Sequence, residues 1–338
     1  VNVLVVLDKS GSMQDPLPGT SDAKWDTMKA AVGAALDGTK GAISYGLALF
    51  PQAADGQPAI PLTCADFGTC CGDPAAGVSV DVAPGATAVP LIEAALDATT
   101  PGGATPSAAA LSAALDYFTK GAGKDLAGDR YVLFATDGGP NCDDAATCAA
   151  DSCTTNLDGK CSLTSLPDGG DANCCDAAFD GKWRCLDASG AEASVTALAS
   201  AGIPTFVVGI PGSEAYSSTL DALALAGGVP AGAADGGAPR YFAVSASGGA
   251  AALTDVLESI TKSLIKSCRL ELANDPPDRT LLNVEVDGVA IARGAANGWE
   301  LDTKTSPPTV VLQGTTCARV ETEGATSISV VYGCPTVE

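Results

Sequence analysis

Two carboxylates and three hydroxyls stand where buried strands stop or a helix begins. Asp8, Ser10 and Ser12 lie in Asp8-Lys9-Ser10-Gly11-Ser12, Thr105 in Gly102-Gly103-Ala104-Thr105-Pro106, and Asp137 in Thr136-Asp137-Gly138-Gly139-Pro140-Asn141. All five offer oxygen. Hydroxyls of Ser10, Ser12 and Thr105 are neutral ligands, whereas Asp8 and Asp137 supply charge directly or through water, a donor set that suits Mg2+ or Ca2+. With so few charged ligands such a cation stays electrophilic, and one of its waters can give way to a carboxylate from a partner. Taken singly, each segment reads as an ordinary turn of Ser, Gly and Asp.

The elements that position these residues follow from hydrophobic patterning. The apolar run Val1 to Leu7 fits a strand buried on both faces, as do Ala42 to Phe50 and Arg130 to Thr136. Asp8 and Asp137 therefore stand at the carboxyl ends of strands, where open parallel sheets bind their ligands. Helices are expected at Asp22 to Leu36, capped by Ser21-Asp22, at Val89 to Ala98, and at Ala108 to Phe118, the last with Pro106 in its first turn. A short strand is expected at Val78 to Val82. After residue 185 the alternation resumes with helix Ala191 to Ala201, strand Ile203 to Ile210, helix Tyr216 to Ala226, a strand near Tyr241 to Val244, and helix Ala250 to Ser267. That alternation predicts an α/β fold with a doubly wound, mostly parallel sheet over residues 1 to 267. Residues 268 to 338 change to strand signals only: Leu282 to Ala292 around the turn Asp287-Gly288, then Thr309 to Leu312, Ala318 to Glu321 and Ile328 to Tyr332. A small all-β domain, a sandwich or part of one, is expected there.

The three loops together resemble the metal-ion-dependent adhesion site of von Willebrand factor A domains, the family that includes integrin I domains. D-x-S-x-S after the first strand, G-G-x-T-P before a helix and T-D-G-x-P-N at a later strand end match in order, spacing and context over about residues 1 to 266. Ala104, an extra residue between the glycine pair and Thr105, is a departure from the pattern. The resemblance implies a divalent cation held by Asp8, Ser10, Ser12, Thr105 and Asp137. It further implies a protein or surface ligand whose Glu or Asp completes the coordination.

Charge and cysteines narrow the function classes. The chain of 338 residues carries 18 Lys and Arg against 40 Asp and Glu, a net charge of -22, which argues against nucleic acid and anionic membranes as partners. It has no histidine, so the commonest general base and transition-metal ligand is missing. The glycine loop before Thr105 lacks the G-K-[ST] of a phosphate-binding loop, and no G-x-S-x-G elbow holds Ser10 or Ser12. A metal-assisted hydrolase remains the one enzymatic alternative. Non-enzymatic binding is the expectation.

Thirteen cysteines indicate an oxidising compartment and a disulfide framework. They lack the paired knuckles of a structural zinc site, and the neighbours Cys70-Cys71 and Cys174-Cys175 point to separate bridge partners. Two loops, about 51 to 74 and 141 to 185, would be held by such bridges. The second has seven cysteines and eight aspartates, of which Asp168, Asp171 and Asp176 offer oxygen for a second Ca2+, although a solvated loop is the simpler reading. The odd count leaves one thiol over. No stretch of eighteen apolar residues spans a membrane, and since Val1 already lies in a core strand, a leader or anchor is expected to precede it. None of the asparagines sits in an N-x-S/T acceptor, which favours a bacterial surface. The reading is a secreted or cell-surface bacterial adhesion protein, set against a structural subunit of an extracellular assembly whose metal only stabilises loops.

Overall fold

The computed structural model describes residues 1–53, 68–72, 77–143, 185–231, 238–245, 248–264, 268–272, 275–276, 278–294, 296–304, 307–321 and 328–337. Most of the loop 51–74, and residues 144–184 with Asp168, Asp171 and Asp176, lie outside the described residues. The chain divides into two compact units, Val1–Lys262 and Ser263–Glu338.

The first unit is built on a six-stranded sheet of β1 (Asn2–Asp8), β2 (Ser44–Phe50), β3 (Val80–Pro84), β4 (Arg130–Thr136), β5 (Thr205–Gly209) and β6 (Phe242–Ala243). Its spatial order is β3-β2-β1-β4-β5-β6, and every pairing is parallel except β2 with β3. β1 and β4 form the centre, which is why both read as continuous apolar runs: all seven residues of β1 are buried. Leu4 and Val6 point into a core with Leu111, Phe118, Val195, Leu198 and Leu220, from α3 (Ser107–Thr119), α4 (Ala188–Ser200) and α5 (Ser217–Ala226). Among the described residues the other α-helices up to Ser263 are α1 (Lys24–Asp37), α2 (Gly85–Asp97) and α6 (Gly249–Ser263). The strand order reverses between β1 and β4, so a crevice opens at their carboxyl ends, where Asp8 and Asp137 stand.

Several boundaries differ from expectation. α1 starts at Lys24, with Ala23 at its N-cap and no side-chain cap, because Pro16 to Ala23 closes into a bridge that absorbs Ser21 and Asp22. α2 begins four residues before Val89 and carries Pro90 inside it, where a proline removes one helical hydrogen bond and usually signals a first turn. Pro106 sits at the N-cap of α3 and Ser107 takes the first helical position.

The second unit holds two three-stranded sheets. One orders β10 (Trp299–Asp302), β11 (Thr309–Leu312) and β7 (Arg269–Glu271); the other orders β12 (Ile328–Tyr332), β8 (Leu282–Val286) and β9 (Val289–Ile291). Their side chains share one core around the fully buried Trp299, whose indole N–H donates to Ile291 O at 2.9 Å. Asp287 and Gly288 both take positive φ, 53° and 72°, the backbone a tight β8–β9 hairpin needs. Ala318 to Glu321, expected as a strand, belongs instead to α7 (Gly314–Glu321). Val320 reaches the core from that helix, and the Cys268–Cys317 disulfide ties the helix to the start of β7.

Candidate functional site

Asp8 ends β1 with its side chain fully buried, and its oxygens are both engaged. Oδ1 accepts from the Ser10 backbone N–H at 2.7 Å, an Asx-type turn that swings the chain off the strand, and Oδ2 accepts from Thr136 Oγ1 at 2.6 Å. The turn leads into the 3-10 segment Gly11–Gln14, so Ser10 and Ser12 come to the same side, with their hydroxyls 3.1 Å apart. Ser12 Oγ donates on to Asp137 Oδ1 at 2.9 Å. The two strand-end carboxylates are therefore linked through Ser10, by its backbone N–H and its hydroxyl, and through the Ser12 hydroxyl.

Thr105 arrives from the loop before α3. Gly11 N–H donates to Gly103 O at 2.9 Å and Gly102 N–H to Lys9 O at 2.7 Å, which lays the glycine pair against the first loop. Gly103 has φ of 92°, a conformation that glycine adopts without strain. Thr105 is fixed from its other side by Asn141, whose Oδ1 accepts from Thr105 N–H at 2.8 Å while Asn141 N–H donates to Thr105 O at 3.0 Å. A Cβ placed on Gly138 would lie 3.6 Å from Thr105 Oγ1 and 4.0 Å from Ser12 Oγ, so both hydroxyls face the space that this glycine leaves open. The structure thus brings Asp8, Ser10, Ser12, Thr105 and Asp137 together. Ala104 is buried against Cys70 and Cys71 and does not turn Thr105 away from the site.

The disulfides brace the rim. Cys71 bridges Cys142, directly after Asn141, and not its neighbour Cys70, which is bridged as well. Cys70 O also accepts from Ala104 N–H at 2.9 Å. Cys334 is a free, exposed thiol.

Electrostatics sets the site apart from a turn. Burial, with the neighbouring Asp137 charge adding to it, pushes the Asp8 carboxyl up to about 7. Burial also raises Asp137, although the Lys24 ammonium, 2.7 Å from Oδ2, pulls it back. Lys24 balances only one of the two buried carboxylates, and holding the other as an anion is costly without a further cation. Among the described residues no cluster of three or more His, Cys, Asp or Glu exists that could hold a metal. A divalent ion here would depend on hydroxyls to complete its shell, and the open space at Gly138, the converging hydroxyls and the acidic pair fit a hard cation.

Three contributors lay outside the expected ligand set. Thr136 and Asn141 stand within the T-D-G-x-P-N segment, and their positions beside Asp137 were the available signal. Lys24 gave none, since a lysine opening an amphipathic helix ordinarily points to water.

No protein-family model matches the chain, and no curated protein matches it. Among solved structures it is similar to the pilus adhesin SpaC from Lactobacillus rhamnosus GG, at 14% identity and a TM-score of 0.48, covering 93% of this chain and 37% of that one. It is also similar to the PilB minor pilin from Streptococcus sanguinis, at 16% identity and a TM-score of 0.46, covering 78% of this chain and 61% of that one. A third is the vWF domain of the type V pili tip protein Mfa5 from Porphyromonas gingivalis, at 14% identity and a TM-score of 0.43, covering 78% and 95%. The chain thus spans well under two thirds of SpaC and somewhat under two thirds of PilB, and likenesses this distant leave function to the geometry of the site.

Proposed function

We propose that the first unit is a von Willebrand factor A type module that binds a protein or surface ligand through a divalent cation. One observation carries the reading: the hydroxyls of Ser10, Ser12 and Thr105 converge beside the buried carboxylates Asp8 and Asp137 at the switch point of a parallel sheet. Mg2+ or Ca2+ would be held by those hydroxyls, with Asp8 and Asp137 acting directly or through water. Such a cation would supply an electrophilic position for a partner's carboxylate. This chain's residues do the rest: Thr136 and Ser10 orient Asp8, Asn141 fixes Thr105, and Lys24 and Ser12 orient Asp137.

Binding rather than turnover is favoured, because the chain has no histidine and both carboxylates are already tied into the hydroxyl network. The disulfides Cys71–Cys142 and Cys268–Cys317 support an extracellular or cell-surface setting, on a bacterial surface by our reading. Among the described residues no helix is long and apolar enough to cross a membrane. Titration with Mn2+, Mg2+ and Ca2+ by calorimetry tests the proposal. Saturable binding near one ion per chain, lost in Asp8→Ala, is expected. A wild type that binds none of the three ions at millimolar concentration overturns it.

A further inference from the structure

Lys24 is the first residue of α1, and only 7% of it is exposed. A cation at a helix N-terminus opposes the helix dipole, and burying an ammonium is costly, so two independent penalties act against it. The surroundings are nonetheless shaped to hold it. Its Nζ lies 2.7 Å from Asp137 Oδ2, and its backbone N–H donates to Asp15 O at 2.9 Å, which pins the helix start beside the site. Gly212, at φ of 115°, passes so close that a Cβ there would stand 2.6 Å from Nζ. A side chain held against these costs, in space kept clear by a glycine, has a task at Asp137.

We infer that Lys24 is a positioning residue that makes the cation-loaded site positively charged: its ammonium occupies Asp137 Oδ2, leaving Oδ1 on the side of Ser12. This deepens the metal-site reading and rests on it. Asp8 and Asp137 together with Lys24 carry one net negative charge, so a divalent ion turns the cluster net positive. With an uncharged residue at position 24 the loaded cluster would be neutral. Lys9, which interacts with the Asp8 charge, and Asp15, which acts on Asp137, carry opposite charges and offset each other. In a chain of net charge -22, a locally cationic site is what allows an anionic carboxylate to approach. Lys24 therefore trades affinity for the metal against affinity for the carboxylate.

The test measures Mn2+ affinity by calorimetry in the full chain for wild type, Lys24→Gln, Lys24→Met and Lys24→Arg. The glutamine can still donate to Asp137 without charge. Lys24→Gln and Lys24→Met are expected to bind Mn2+ at least about tenfold more tightly than wild type, since a repelling cation is removed, while their metal-free forms melt earlier. Lys24→Arg should stay within about threefold of wild type. The Mn2+ electron paramagnetic resonance line of the loaded wild type should respond to acetate at lower concentration than that of loaded Lys24→Gln. A purely structural lysine lowers the melting temperature without tightening Mn2+. Unchanged or weaker Mn2+ affinity in folded Lys24→Gln overturns the inference. If Lys24→Met does not fold, Lys24→Gln decides alone; if neither folds, Lys24 is a structural requirement and the inference fails. Absence of Mn2+ binding in both wild type and Lys24→Gln sinks the metal-site reading itself, a separate result.

Discussion

Thr136 and Asp8 stand side by side on adjacent parallel strands, and the threonine hydroxyl donates to Asp8 Oδ2 at 2.6 Å, both groups being fully buried. The same Oγ1 accepts from Gly138 N–H at 3.2 Å, so one hydroxyl orients the first carboxylate and anchors the turn that carries the second. Thr136→Val keeps the shape and removes both bonds. Loss of a hydrogen bond to a buried charged group predicts a fall of about 1–3 kcal/mol in unfolding free energy, measured by urea denaturation, together with weaker Mn2+ binding. Thr136→Ser, which keeps the hydroxyl, should retain most of both. Equal stability of the valine variant and wild type would remove Thr136 from this role.

The raised Asp8 pKa makes the metal-free protein pH-sensitive in a defined direction. Its carboxyl titrates near 7 in the folded chain against 3.8 as the ordinary value, so between those limits the native state binds more protons than the unfolded one. Stability therefore falls as pH rises through that window and is greatest near its acid end, with a loss of the order of 2–4 kcal/mol from this group. Urea unfolding in a chelator at pH 5 and pH 8 should show the drop. Asp8→Asn should flatten it. Divalent cation, by stabilising the ionised carboxylate, should restore stability at pH 8 and bind more tightly there than at pH 5. A metal-free protein more stable at pH 8 than at pH 5 contradicts this assignment.

How much of this was legible in the sequence depended on whether a residue's surroundings were local. β1 and β4 announce themselves because a central strand is apolar on both faces, and their ends place Asp8 and Asp137 without further information. The hairpin at Asp287-Gly288 is equally local, since the dipeptide alone favours the two positive φ values. α2 was harder, because Pro90 suggests a start that packing overrides. α7 was hidden because Ala318 to Glu321 is too short a stretch for its period to separate helix from strand. Lys24 was not legible at all: its partner is 113 positions away, and only the folded sheet brings the first turn of α1 against Asp137. The five expected ligand side chains converge, whereas the group that balances their charge is a product of tertiary structure.

Gly138 tests the open space rather than the ligands. A methyl group there meets Thr105 Oγ1 at 3.6 Å and Ser12 Oγ at 4.0 Å, ordinary contact distances, so the fold has no reason to object. Gly138→Ala should change unfolding free energy by no more than about 0.5 kcal/mol. Its methyl nevertheless enters the space that two ligand hydroxyls face, and Mn2+ binding by calorimetry should weaken measurably. Unaltered metal affinity in this variant would mean that the cation, if bound, uses another side of the hydroxyls.

The Cys71–Cys142 bridge closes a span of 71 residues that contains Thr105 and Asp137. Chain-entropy arguments give a cross-link of that length about 4 kcal/mol of stabilisation, and removal of native disulfides commonly costs about 2–5 kcal/mol. Its second effect should be on the site. Cys71 follows the residue whose carbonyl holds Ala104 N–H, and Cys142 follows the residue that holds Thr105 from both its N–H and its carbonyl. Freed of the bridge, Asn141 is tied down only by hydrogen bonds while Cys70 keeps its own disulfide, and the threonine loses part of its fixed aim. The double variant Cys71→Ala/Cys142→Ala should therefore unfold at lower urea concentration and also bind Mn2+ more weakly at temperatures where it remains folded. Adding saturating Mn2+ should recover part of the lost stability, because the cation would cross-link the same loops through Ser12, Thr105 and Asp137. A variant that loses stability but keeps wild-type Mn2+ affinity would show that the bridge serves the fold and leaves the aim of Thr105 to Asn141.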